Sequence, residues 1–174
     1  MSTFARVSPA LGAAILAACG STPQAPTVPA ALQAPATEMV VLEALASGVQ
    51  VYECVTDSNE SYKWRFKGPQ ARLVERGGRD LGKHYGGPTW EAPDGSKVVG
   101  EVRAQVPSPR LDAIPHLLLN AKSTSGDGIY GAVRSIQRVD TEGGKTPEVK
   151  CSQANLAQTA RVPYRATYYF YAER

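Results

Sequence analysis

The sequence predicts an all-β domain, a closed or partly open antiparallel barrel, with a two-sheet sandwich as the alternative. Three observations carry this reading. Apolar and polar residues alternate with a period of two in several runs, clusters of Gly, Pro and Asp separate those runs, and sustained helical periodicity is missing from the domain. About eight short strands result, and a chain of 174 residues has room for one such domain. With 43% hydrophobic and 20% charged residues, the chain can bury a core and is not disordered as a whole.

Residues 1–18 stand apart from the domain. Arg6 and the amino terminus supply positive charge, and an apolar stretch follows over residues 10–18. It has about half the ~20 residues of a membrane-spanning helix and the length of a signal-peptide core. A buried N-terminal helix is the competing reading, and Leu16-Ala17-Ala18-Cys19 decides against it. That run resembles the lipobox of bacterial lipoproteins. The resemblance implies cleavage before Cys19 and diacylation of its sulfur, so that the membrane is a partner through the N-terminal lipid. Gly20 stands where an aspartate would retain such a protein in the inner membrane of enteric bacteria. The expected location is therefore the cell envelope, at the outer membrane, facing the periplasm or the cell surface. Residues 19–37 place Pro23, Pro26, Pro29 and Pro35 among Ser, Thr, Gln and Ala, and read as a solvated tether. The domain is residues 38–174.

Within it, residues 38–46 read as a helical turn or two leading into the fold. Residues 49–55, 116–122, 133–139 and 165–171 suit strands, being rich in β-branched and aromatic side chains. Tyr62-Lys63-Trp64-Arg65-Phe66-Lys67 alternates aromatic and basic residues, the pattern of a strand with one buried face. Over residues 97–106 the alternation places Val98, Gly100, Val102, Ala104 and Val106 on one side. Pro93-Asp94-Gly95-Ser96 makes a hairpin turn between residues 89–92 and that strand, since proline presets φ and glycine accepts a positive φ. Gly126-Asp127-Gly128 and Gly143-Gly144 mark further turns, and residues 152–160 read as a helical turn or a loop.

With Cys19 committed to lipid, Cys54 and Cys151 remain in an exported domain. A disulfide between them is the preferred reading, and two buried free thiols the alternative. Two Cys and two His without ligand spacing make no metal site, and no cofactor is expected. The net charge of +3 includes Arg6, and Lys and Arg are scattered singly among Asp and Glu. Nucleic acid is therefore not an expected partner.

The segment densest in chemistry is Gly82-Lys83-His84-Tyr85-Gly86-Gly87-Pro88-Thr89-Trp90-Glu91. His84 offers hydrogen bonding or proton transfer, Tyr85 and Trp90 offer stacking area, and Glu91 a charge. These four are the candidate ligand-binding residues. The competing view is structural: a tight Gly-Gly-Pro corner, a core Trp90 and a hydrogen-bonded His84. His116 reads as a strand-end residue, and the tyrosines of residues 164–171 as packing for a terminal strand. No nucleophile elbow, P-loop, dinucleotide fingerprint or zinc-protease motif occurs, and no catalytic residue is assigned.

Several segments in order carry a resemblance: residues 48–54 and 62–66, His84 to Glu91, Asp94-Gly95-Ser96-Lys97-Val98, and residues 113–119. Residues 136–139, Gly143-Gly144, Cys151 and residues 162–171 complete it. Together they resemble the bacterial and fungal family known as domain of unknown function 3455. The resemblance implies a secreted or surface-attached protein with cysteines at the positions of Cys54 and Cys151, and brings no activity with it. The functional expectation is a lipoprotein domain that binds a small molecule or an envelope polymer without catalysis. The alternatives are a cofactor-free enzyme using His84 with Glu91, or a purely structural surface module.

Overall fold

The computed structural model describes residues 23–174, so the expected signal peptide, the lipidation site Cys19 and the start of the tether lie outside the described residues. Eight antiparallel strands close into a single barrel: β1 (Glu38–Thr56), β2 (Tyr62–Val74), β3 (Asp80–Tyr85), β4 (Thr89–Glu91), β5 (Lys97–Val106), β6 (His116–Ser125), β7 (Ser135–Gly143) and β8 (Thr159–Glu173). Each strand pairs with the next in sequence, and β8 returns to pair with β1. The ring decides for the barrel over the sandwich. Closure removes the unpaired edges that an open sheet would expose.

Residues 38–46 are not helical. They form the first half of β1, paired with β8 on one side and, from Leu45 onward, with β2 on the other. Leu, Glu and Ala favour a helix locally, but pairing with β8 along the segment and inward burial of Leu42, Ala44 and Ala46 outweigh that preference. The second departure is β3, which the sequence hides because Gly82 and Lys83 interrupt its alternation. At the Pro93–Ser96 turn the structure matches expectation: Gly95 has φ +85°, and the Ala92 N–H donates to the Ser96 carbonyl at 2.9 Å.

The tether also ends earlier than residue 37. Ala30–Leu32 makes a single 3-10 turn, and Leu32 is fully buried on the outside of the barrel. Its carbonyl accepts a hydrogen bond from Gln137 Nε2 at 2.6 Å. Val28 and Ala34 pack against an outer patch of Val40, Val139, Tyr169 and Tyr171. Apolar residues among the prolines have an apolar wall to cover, and burying them offsets the entropy of ordering the segment.

Up-and-down connectivity gives the barrel two unlike ends. One carries the β2–β3 and β4–β5 turns and the β6–β7 connection, and it is plugged. Tyr130, from that connection, is fully buried, donates from its hydroxyl to the Leu81 carbonyl at 3.1 Å, and tilts against Phe170 at 4.9 Å. Asp94 secures the plug by accepting from the Ser96 N–H at 2.8 Å and the Ile129 N–H at 3.0 Å. The hydrophobic layer of Leu73, Leu81, Val98, Val133, Ile136 and Phe170 fills this half. The other end carries the β1–β2 and β3–β4 turns and the β5–β6 and β7–β8 loops. Here Cys54 and Cys151, 97 residues apart, form a disulfide that ties the β7–β8 loop to the end of β1.

Candidate functional site

At this second end the barrel opens into a cavity of about 480 Å³. Its floor is made by His84, Trp90, Tyr168 and Leu119, and its walls by Gln50, Tyr52, Ile114, Leu117 and Arg138. Strand parity explains the membership. Gln50 and Tyr52 continue the inward row of Ala44 and Ala46, Arg138 follows the inward Ile136, and Tyr168 lies between the inward Ala166 and Phe170. Phe66 and Val102, each 51% exposed, stand at the rim.

Alternation splits the four expected site residues into two pairs. His84 and Trp90 are cross-strand partners that both point inward, and both are buried. Tyr85 and Glu91 stand on the outer face. The Tyr85 hydroxyl donates to Glu91 at 2.7 Å, and Lys83 and Lys97 lie 3.4 and 3.5 Å from the same carboxylate. The tyrosine bond first, and then the positive charge of the two lysines, hold the Glu91 pKa below its usual range. His84 and Glu91 therefore do not form an acid–base pair, and Tyr85 and Glu91 do not line the cavity.

The state of His84 follows from its surroundings. Its Nδ1 lies 2.9 Å from the Thr89 carbonyl, which can only accept, so Nδ1 carries the proton and Nε2 is left as an acceptor. Burial pushes its pKa down to about 3; the Thr89 bond opposes this and the Arg138 charge reinforces it. At neutral pH the ring is uncharged and poorly matched to general-base work, which favours a pKa near the working pH.

Three side chains that line the cavity bring polar atoms without a hydrogen-bond partner among the described residues: Gln50 Nε2, Trp90 Nε1 and the Tyr168 hydroxyl. The Tyr164 hydroxyl, in the same inward row of β8, adjoins that of Tyr168 without a hydrogen bond of good geometry, and Tyr168 also neighbours Arg138. Burial raises the pKa of both tyrosines, so both hydroxyls stay protonated. Arg138 Nε and Nη2 both donate to the Pro115 carbonyl, at 3.1 and 2.9 Å. Thr141 Oγ1 donates to the Ile114 carbonyl at 2.6 Å, so the β5–β6 loop is fastened where Ile114 and Pro115 form the wall.

Sequence reading missed Gln50, Phe66 and Arg138. For Gln50 and Arg138 a signal existed: each is a polar residue at the inward parity of an apolar row. Phe66 was expected on a buried strand face. The Tyr62–Lys67 stretch instead extends past the barrel mouth, where Trp64 Nε1 donates to the Val149 carbonyl at 2.7 Å and Phe66 tilts against Tyr52 at 5.5 Å. In β5, a bulge between Val102 and Ala104 reverses the parity, so Gln105 lines the cavity and Ala104 does not. His116 starts β6, half-buried and outside the cavity lining, and burial lowers its pKa.

No group of three or more metal-ligating side chains converges among the described residues, and no described helix is long and apolar enough to cross a membrane. Comparison with curated proteins and with solved structures returns no match. A family model does match, over residues 35–172, and it spans the barrel from the start of β1 to all but the last residue of β8. The chain belongs to the family described as Protein of unknown function (DUF3455).

Proposed function

We propose that this protein is a lipid-anchored envelope protein whose barrel binds a small molecule in its open end, without catalysis. The observation that carries the reading is the cavity itself: about 480 Å³, within the usual range for small-molecule sites, and lined mainly by apolar and aromatic side chains with Arg138 and Gln50 among them. Burying a polar group without a partner costs about 1–3 kcal/mol. Gln50 Nε2 and Trp90 Nε1 are such groups, enclosed just behind the lining, and a ligand satisfies them where their side chains turn into the space. The lack of a matched acid–base pair at His84 argues for binding over chemistry. The anchor rests on the Leu16–Cys19 motif, and an envelope location follows from it.

The test is a thermal-shift screen of the purified protein against a chemically broad small-molecule collection. A true ligand raises apparent stability by mass action, about 2.7 kcal/mol at a hundredfold excess over its dissociation constant. Hits should lose their effect in Gln50→Leu and Tyr168→Phe, which fill or line the same space without polar reach. Stabilisation that survives both substitutions would place the ligand elsewhere.

A further inference from the structure

The chemistry of the cavity narrows the ligand class, and this step rests on the binding function proposed above. We propose that the ligand is a compact aromatic carboxylate, its acid group paired with Arg138 and its ring lying over the Trp90–His84 floor.

Arg138 is the first reason. It lines the cavity from the inward row of β7, and it has no ion pair among the described residues. The carboxylates near it in sequence turn elsewhere: Asp140 is exposed, and Glu142 pairs with Arg110 at 3.2 Å. Lys67, the other cation in the lining, is already held by Glu53 at 2.9 Å. The guanidinium spends two nitrogens on the Pro115 carbonyl and neighbours the Tyr168 hydroxyl, so it faces the cavity without a carboxylate partner. A fork-shaped donor in a largely apolar setting is suited to a carboxylate.

The donor balance is the second reason. Gln50 Nε2 and Trp90 Nε1 can only donate, and both are unpartnered and enclosed just behind the lining, so an acceptor reaches them where these side chains turn into the space. With Arg138 they tilt this end of the barrel toward donors, which suits an acceptor-rich ligand. His84 Nε2 is an acceptor in the lining, and the Tyr168 hydroxyl can act either way.

Shape is the third reason. Below the floor the barrel is filled by Phe170 and Tyr130, with Trp90 edge-on to Phe170 at 5.9 Å. No channel is left for a long acyl chain to thread. The space is broad and bounded by rings: the Trp90–His84 stack, Tyr168, and the Tyr52–Phe66 pair at the rim. Aromatic rings pack favourably edge-on or offset against such surfaces.

The experiment is calorimetric titration of the purified full chain with 1-naphthoate, the neutral 1-naphthalenemethanol and dodecanoate. Wild type and Arg138→Gln are compared. The expected result is that naphthoate binds wild type roughly tenfold or more tightly than the alcohol, as a charge-assisted hydrogen bond would give. Arg138→Gln should erase that preference, the acid losing affinity at least about tenfold more than the alcohol, and a preference for the acid that survives the substitution overturns the pairing with Arg138. Equal affinity for acid and alcohol in wild type overturns the carboxylate assignment and leaves small-molecule binding standing. Dodecanoate binding more tightly than naphthoate overturns the compact aromatic class. If none of the three binds and the broad screen is also empty, the binding function falls with it. Should Arg138→Gln fail to fold, the wild-type ratio of acid to alcohol decides the question alone.

Discussion

Trp90 lies on His84 with ring centroids 4.3 Å apart and planes 11° from parallel, each the direct cross-strand partner of the other. Tyr168 meets both rings edge-on, at 5.1 Å from His84 and 5.3 Å from Trp90. This three-ring cluster is at once the top of the packed core and the floor of the cavity. Stability and the proposed binding therefore rest on the same residues.

The first prediction concerns pH. The folded-state pKa of His84 falls from 6.5 to about 3, chiefly by burial. Between those values the unfolded chain binds a proton that the folded chain does not, so stability rises with pH across the window and is lost as pH falls through it. The slope is about 1.4 kcal/mol per pH unit for one group. Denaturant titrations at pH 4.5, 5.5 and 6.5 should show wild type losing stability faster than His84→Gln. Glu43, Asp57, Glu75, Glu91 and Asp94, whose pKa values are lowered, weaken the fold at more acid pH, and His116 acts in both proteins alike. Parallel curves for the two proteins would mean that His84 is solvated or charged in the fold.

The second prediction concerns the room made for Trp90. A Cβ at Gly100 would lie 3.0 Å from the indole and 3.0 Å from Leu119. Gly100→Ala should cost about 1–3 kcal/mol by overpacking, and Trp90→Phe a similar amount by leaving a void. In the double variant the smaller ring gives the new methyl its space, so the combined cost should fall short of the sum by at least ~0.5 kcal/mol. Simple additivity, read from melting curves of the four proteins, would mean that the two sites do not share the space.

These residues also show what a sequence can reveal. The aromatic tail was legible: the residues 164–171 alternate as expected, with Tyr164 and Tyr168 inward and Tyr169 and Tyr171 under the N-terminal strap. His84 and Trp90 stood out because their segment concentrates unusual side chains, and the structure buries both at the boundary between the packed core and the cavity. Their separation from Tyr85 and Glu91 is a matter of period two, and two reversals at the Gly-Gly-Pro corner obscured it. Arg138 was hidden for a different reason. An arginine in a strand is most simply a solvated residue, and only knowing that Ile136 faces the interior turns its parity into a signal. The β5 bulge lies beyond pattern reading altogether, because one extra residue reverses every face that follows it.

The third prediction is the anchor, which follows from Leu16-Ala17-Ala18-Cys19 behind a short apolar run. In a bacterial host, Cys19→Ala should abolish incorporation of labelled palmitate and move the protein from the membrane fraction to the soluble one. The barrel itself should be unaffected, since the ordered strap begins after the anchor, and its melting temperature should not change. Palmitate labelling that persists in Cys19→Ala would rule the motif out.

The fourth prediction concerns the Cys54–Cys151 disulfide. It closes a loop with a sequence separation of 97 and joins the end of β1 to the β7–β8 loop. Three backbone and side-chain bonds run along the same junction: Ala157 N–H to Cys54 carbonyl at 2.9 Å, Cys54 N–H to Gln158 carbonyl at 3.0 Å, and Trp64 Nε1 to Val149 carbonyl at 2.7 Å. The crosslink therefore acts mainly on the unfolded chain, whose entropy it restricts by up to about 4–5 kcal/mol for a loop of this length. Cys54→Ala with Cys151→Ala should still fold, because both positions are buried and alanine strands no polar atom there. It should melt on the order of 10 °C lower, given a few degrees per kcal/mol for a domain of this size. Burial also protects the bond kinetically. Native protein should resist a mild reductant that acts quickly once denaturant is present, and peptide mapping without reductant should recover the two cysteines joined. Alkylation of both cysteines in native, oxidised protein would refute the pairing, and an unchanged melting temperature in the double variant would refute its contribution to stability. The cavity wall should loosen as well, because the freed loop carries Gly144, whose carbonyl accepts the Tyr52 hydroxyl at 2.7 Å there, and any ligand of the proposed site should bind modestly more weakly.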